Sequence, residues 1–270
     1  MSGTIDRASE PTRHPLPQTH RRSATDNGLL ICGVLSPLVY AVTTIVASAR
    51  WEGYSSTAQT ISELFAIDAP ARPLVVPLLL AHGVLLIAFA FGVWRTASGK
   101  RTLRTTAGLL IANGVVGLVA PVFFPIHLRG VEPTLTDTMH AVVTGLIVVL
   151  ILLAVGFAAG AFGRIFRFYS LVTLVALLGF GALAGLDGPE LAANEPTPWL
   201  GVFERINIGG YLLWLLVLAV ALLRRPTQNP PGQPASAHVG PTGPTSAHPG
   251  KGSQISPGKS RLSTRPTSQM

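Results

Sequence analysis

The sequence predicts an all-α polytopic membrane protein, a six-transmembrane-helix bundle with disordered cytoplasmic tails. Three observations lead there. Charged residues make up 12% of the chain, half of the about 25% usual for a soluble domain. Apolar residues make up 48% and fall in blocks rather than in alternation. Six of those blocks reach the roughly 17–25 residues that a bilayer-crossing helix needs.

The blocks run approximately over 29–48, 73–94, 106–124, 139–162, 168–186 and 207–223. The first follows Arg21 and Arg22, and Ala47-Ser48-Ala49 near its end resembles a leader cleavage site. The run is nevertheless longer than the usual 7–15 residues of a leader's apolar core, which favours a retained span. The connections after the second and fourth blocks are short and basic. Those after the first, third and fifth are longer and polar, over 49–72, 125–138 and 187–206. Short connections join antiparallel neighbours. The expected organisation is a disordered N-terminal segment 1–27, a six-helix membrane domain 28–224 and a disordered basic tail 225–270. The tail is rich in Pro, Gly and Ser and repeats Ser236-Ala237-His238 as Ser246-Ala247-His248, a low-complexity pattern.

Charge sets the orientation. Sixteen of the 20 Lys and Arg lie in the tails and short loops, and only Arg50, Arg72, Arg129 and Arg205 lie in the longer ones. Both termini are therefore expected in the cytoplasm, with the protein multi-pass in the plasma (inner) membrane. The net charge of +8 is a topology signal reinforced by anionic lipid. It implies membrane lipid as a partner, and no nucleic acid. Nine of the 12 acids fall in the three longer loops, so the polar chemistry faces outward. The single cysteine, Cys32, excludes an internal disulfide and a multi-cysteine metal site.

The segment GYSSTAQTISEL, 53–64, carries that chemistry. Ser56 and Gln59 fit a capping box that would open a short helix over about 57–65. Ile61, Leu64 and Phe65 would form its apolar face, and Gln59 and Glu63 its polar one. Gly53 suits a tight entry turn. The other long loops supply His127, Arg129, Asp137, His140, Glu204 and Arg205. Ionisable groups at a membrane boundary are costly unless paired, so Glu63, Asp137, His140, Glu204 and Arg205 are expected to satisfy one another. Within the spans, His82 and Asn113 are expected to bond to other helices, Trp214 to pack between them, and Gly108, Gly114 and Gly117 to allow close approach.

GYS with TISEL after the first span, FFP ending the third, a histidine opening the fourth and ER before the sixth resemble an uncharacterised bacterial membrane family. It is catalogued as domain of unknown function 998. The resemblance covers roughly 29–223 and implies a six-helix membrane protein, with no known reaction. Residue by residue it points to Tyr54, Ser55, Ser62, Glu63, Pro125, His140, Glu204 and Arg205. Family members often carry an acid shortly after the third-span proline. Here Ile126 and His127 follow Pro125, so a ligand or base at that place would fall to His127 or Asp137.

Tyr54, Ser55, Ser62, Glu63, Asp137, His140, Glu204 and Arg205 are thus the candidate ligand-binding residues. His127, Asp137 and His140 are the candidate metal ligands, since neutral imidazole and carboxylate suit zinc. The reading these residues favour is an outward site for a lipid headgroup or small solute, with transport as one form of that role. One alternative is a membrane-embedded lipid hydrolase, in which Asp137 orients His140 to deprotonate Ser55, Ser56 or Ser62. The other is a purely structural or partner-binding protein. Nothing in the sequence implies a cofactor.

Overall fold

A computed structural model describes residues 23–225. The segments 1–22 and 226–270, with both Ser-Ala-His repeats, lie outside the described residues. Six helices are long and apolar enough to cross a membrane. They are α1 (Ala24–Arg50), α2 (Arg72–Arg95), α3 (Arg101–Phe123), α4 (Leu135–Ala159), α5 (Arg164–Leu186) and α7 (Leu200–Leu223), while α6 (Gly188–Ala192) is a single turn between α5 and α7. No strand occurs among the described residues. The protein is all-α and multi-pass in a membrane.

The helices outrun the apolar blocks because polar turns continue them into the interface. α1 starts at Ala24, where the Ser23 hydroxyl accepts a bond from the Asp26 N–H at 3.3 Å. Asp26 in turn accepts from Arg95 at the end of α2, 2.5 Å away. α4 starts with a true capping box between Thr134 and Asp137, which satisfies two of its first N–H groups.

The six spans close a ring. α1 packs on α2 and α7, α2 on α3, α3 on α4, α4 on α5, and α5 on α7. Apolar packing fills the arginine-rich end of the ring, around Leu30, Phe89, Leu103, Val155, Trp214 and Leu218. A second apolar cluster sits at the other end, the loop end, and joins Ala47, Val75 and Leu79 to Ile61, Leu64 and Phe65. The outer surface of the ring is apolar, with Ile45 67%, Val142 58% and Val175 72% exposed, as a surface solvated by lipid chains should be.

Polar bonds between spans are few and specific. Asn113 donates to the Ile147 carbonyl (3.4 Å), Asn207 to the Leu177 carbonyl (2.6 Å) and the Trp214 indole to the Ser170 hydroxyl (3.1 Å). His82 Nδ1 meets the Ser36 carbonyl on α1 at 2.9 Å. Each such bond contributes about 1 kcal/mol in a membrane. Of the three glycines expected at close contacts, Gly114 faces Gly83 across α2–α3, whereas Gly108 and Gly117 have open space beside them.

Candidate functional site

The segment after α1 does not form the expected amphipathic helix over 57–65. A turn closes from the Tyr54 N–H to the Trp51 carbonyl (3.2 Å), with Gly53 at φ 82°, a left-handed conformation that suits glycine. The chain then makes a polar turn and ends in a 3-10 helix, Ser62–Phe65. The capping box expected between Ser56 and Gln59 sits one residue earlier. The Gln59 side chain accepts from the Ser55 N–H (2.9 Å), and the Ser55 hydroxyl accepts from the Ala58 N–H (3.3 Å). A second reciprocal pair follows, in which Thr60 N–H donates to Glu63 (3.0 Å) and Glu63 N–H donates to the Thr60 hydroxyl (3.3 Å). Two competing caps break the segment into turns. The apolar residues Ile61, Leu64 and Phe65 are buried against the bundle.

Glu63, 2% exposed, takes Arg129 rather than Arg205 as its partner. The Arg129 Nη2 lies 2.9 Å and its Nε 3.2 Å from Glu63 oxygens. Gln59 donates to the same carboxylate at 2.8 Å. Arg129 also donates to the Ala58 carbonyl (2.8 Å) and the Thr197 hydroxyl (2.9 Å). One guanidinium therefore ties together the three loops at this end. Arg205 instead donates to the Gln59 carbonyl (2.9 Å), the Gly201 carbonyl (3.0 Å) and the Tyr54 hydroxyl (2.6 Å). Burial pushes the Tyr54 phenol above its ordinary pKa, against the opposing pull of Arg205. The Glu204 carboxylate accepts the Ile61 N–H at 2.5 Å, and the Val202 N–H donates to the Thr57 carbonyl at 3.2 Å. The first turn of α7 is thus capped by the 51–71 loop.

Asp137 and His140 do not act on each other. Asp137 accepts from His127, whose Nδ1 is 2.9 Å and backbone N–H 2.7 Å away, because its place in the α4 capping box turns it toward the incoming loop. His140, 8% exposed, has Nδ1 2.8 Å from the Phe124 carbonyl and Nε2 3.2 Å from the Ser62 hydroxyl. The mutually satisfying cluster expected of Glu63, Asp137, His140, Glu204 and Arg205 therefore does not form, since no two of the five hydrogen-bond to each other. No triad of Asp137, His140 and a serine assembles. Of the candidate metal ligands only His127 and Asp137 meet, and among the described residues no group of three His, Cys, Asp or Glu side chains is placed to hold a metal ion.

A family model described as a protein of unknown function, DUF998, matches residues 34–221. The chain belongs to the DUF998 family. Neither the curated proteins nor the solved structures contain a match to it. The DUF998 match runs from within α1 to near the end of α7, so it takes in part of every span and every residue of the loop end.

The DUF998 ring carries a groove at the loop end, between α1 and α7. The groove has a volume of about 540 Å³, with Ala41, Ile45, Ile208 and Leu212 in its walls and Tyr40, Ser48, Ser56 and Arg205 among its lining residues. The Tyr40 hydroxyl is in none of the hydrogen bonds among the described residues, although its ring stands edge-on to His82, 5.1 Å between centroids. Sequence reasoning missed this groove and the pairing of Arg129 with Glu63. Both left signals. Ser36, Tyr40, Thr44 and Ser48 recur every fourth residue of α1, a hydroxyl stripe on one helical face. Arg129 is one of only four cations on the acid-rich side, where the orientation rule disfavours cations and a carboxylate partner explains its presence.

Proposed function

We propose that this DUF998 protein binds a membrane amphiphile with an anionic headgroup in the α1–α7 groove. In this reading both termini are cytoplasmic and the loop end faces outward, in keeping with the 16-to-4 division of Lys and Arg. The observation that carries it is the combination of apolar walls with the Arg205 cation at one site. Arg205 takes part in none of the ion pairs among the described residues. Guanidinium groups pair strongly with phosphate and carboxylate, and an acyl chain suits Ala41, Ile45, Ile208 and Leu212. Glu63, sealed by Arg129, is support for the loop and not a ligand contact.

The test fills the groove. A side chain at Gly209, which lines it, meets no atom within 4 Å at the Cβ position, so Gly209→Leu starts from open space and fills the groove. Native mass spectrometry in mild detergent, with phosphatidylglycerol and phosphatidylcholine offered together, reads the bound lipid. The wild type is expected to retain phosphatidylglycerol. Gly209→Leu should weaken that binding by about tenfold or more, a loss of about 1.4 kcal/mol, at unchanged melting temperature. Arg205→Gln should abolish the preference between the two lipids. Equal lipid occupancy in wild type and Gly209→Leu would exclude the groove.

A further inference from the structure

Ser62 and His140 are used by neither the groove nor the Glu63–Arg129 tie. A backbone carbonyl can only accept a hydrogen bond, so the 2.8 Å contact between His140 Nδ1 and the Phe124 oxygen places a proton on Nδ1. In the neutral ring Nε2 then carries the lone pair. Its neighbour is the Ser62 hydroxyl, 3.2 Å away, which donates to it. A hydroxyl donating to an imidazole whose other nitrogen is held by a fixed acceptor is the arrangement of a base-activated nucleophile. The Phe124 carbonyl takes the orienting role that a carboxylate has in the three-residue version.

The surroundings fit a substrate at the membrane boundary. Ser62 opens the 3-10 helix and is half-buried, while His140 is 8% exposed and is covered by Phe65, 5.9 Å between ring centroids. The ends of α3 and α4 beside His140 leave large apolar side chains uncovered, Phe123 66% and Leu135 74% exposed. The Ser62 N–H donates to none of the groups in the loop's hydrogen bonds, which leaves a backbone donor beside the hydroxyl for a developing oxyanion.

We propose that Ser62 is a nucleophile activated by His140, acting on a carboxylic ester of an amphiphile at the loop end. The Ser62 Oγ forms a bond to the ester carbonyl carbon while its proton passes to His140 Nε2. The ester C–O bond then breaks and that proton goes to the leaving alcohol. Water, deprotonated by the same imidazole, releases the carboxylic acid and restores Ser62. His140 is the base, and the Phe124 carbonyl positions it.

The test uses the full-length protein in mild detergent and an alkyl fluorophosphonate, which phosphonylates an activated serine with loss of fluoride. Intact-mass and peptide mapping should find one adduct, on Ser62, and none in Ser62→Ala. If His140→Gln folds, by melting temperature, its labelling rate should fall by about 100-fold or more, the usual contribution of a general base. If it does not fold, the wild-type rate measured from about pH 5 to pH 9 takes its place and should rise with a single ionisation in the histidine range. An unlabelled Ser62 in folded wild type overturns the proposal. So does undiminished labelling in a folded His140→Gln, or a flat pH profile; any of these leaves Ser62–His140 as a structural contact only.

Discussion

Two carboxylates at the loop end are held in opposite ways. Glu63 receives Gln59, the Thr60 backbone and hydroxyl, and the Arg129 guanidinium, so its charge is met by a charge. Glu204 receives the Ile61 backbone N–H and serves as a cap. The difference predicts where the coupling energy lies. A double-mutant cycle on Glu63→Gln and Arg129→Gln, read by equilibrium unfolding in mixed micelles, should give an interaction of about 2 kcal/mol, in the range for contacting charged groups. The same cycle with Arg205→Gln in place of Arg129→Gln should give less than about 1 kcal/mol, because those two residues communicate only indirectly, through Gln59 and through Tyr54 and Thr60. Equal couplings would mean that Arg205 shares the carboxylate. Arg129 was visible in the sequence as an outward cation, but its partner was not. Arg129 and Arg205 are chemically identical and both lie far along the chain from Glu63, and only the folded loops bring one guanidinium within reach.

At the scale of elements, the 51–71 loop replaces a helix because short-range caps defeat it. The pairs Ser55–Gln59 and Thr60–Glu63 each satisfy a turn of their own, so no continuous helix gains by joining them. The burial of Ile61, Leu64 and Phe65 was legible from their spacing and survives the change of backbone, since a 3-10 turn also gathers such residues on one side. What the loop requires is room on α7. A Cβ at Gly201 would fall 2.6 Å from the Ser56 oxygen and 2.8 Å from Arg205 Nη1, and closer still to the Gln59 oxygen. Gly201→Ala should therefore lift the loop from α7, at a cost of about 1–3 kcal/mol for overpacking. Limited proteolysis within 51–71 should become faster than in wild type, while Gly209→Ala, with open space at its Cβ, should cleave at the wild-type rate.

At the scale of the whole molecule, the ring is asymmetric. Apolar packing closes the arginine-rich end, whereas the loop end is closed by hydrogen bonds among three loops, with the α1–α7 groove beside them. Buried polar and ionisable groups thus concentrate at one end, and the orientation decides which side of the membrane that end faces. In a Cys32→Ala background, Glu132→Cys in the α3–α4 loop should react with a membrane-impermeant maleimide in intact cells. Ser98→Cys in the α2–α3 turn should react only after the membrane is opened. Both positions are exposed. The reverse pattern would invert the orientation and move the proposed lipid site to the cytoplasmic leaflet.

The sequence by itself determined that this is a six-span, all-α membrane protein of the DUF998 family, and which residues lie at the loop end. The spans are carried by local composition over about 20 residues and the family by the GYS, TISEL, FFP and ER motifs, so both can be read along the chain. Tertiary structure alone decided the partners: Arg129 for Glu63, His127 for Asp137, Ser62 for His140, and α1 beside α7 to form the groove. Each of these pairings turns on ångström distances between segments set by the closure of the ring. A hydrogen bond fails beyond about 3.5 Å, a tolerance far finer than any periodicity in the sequence can specify.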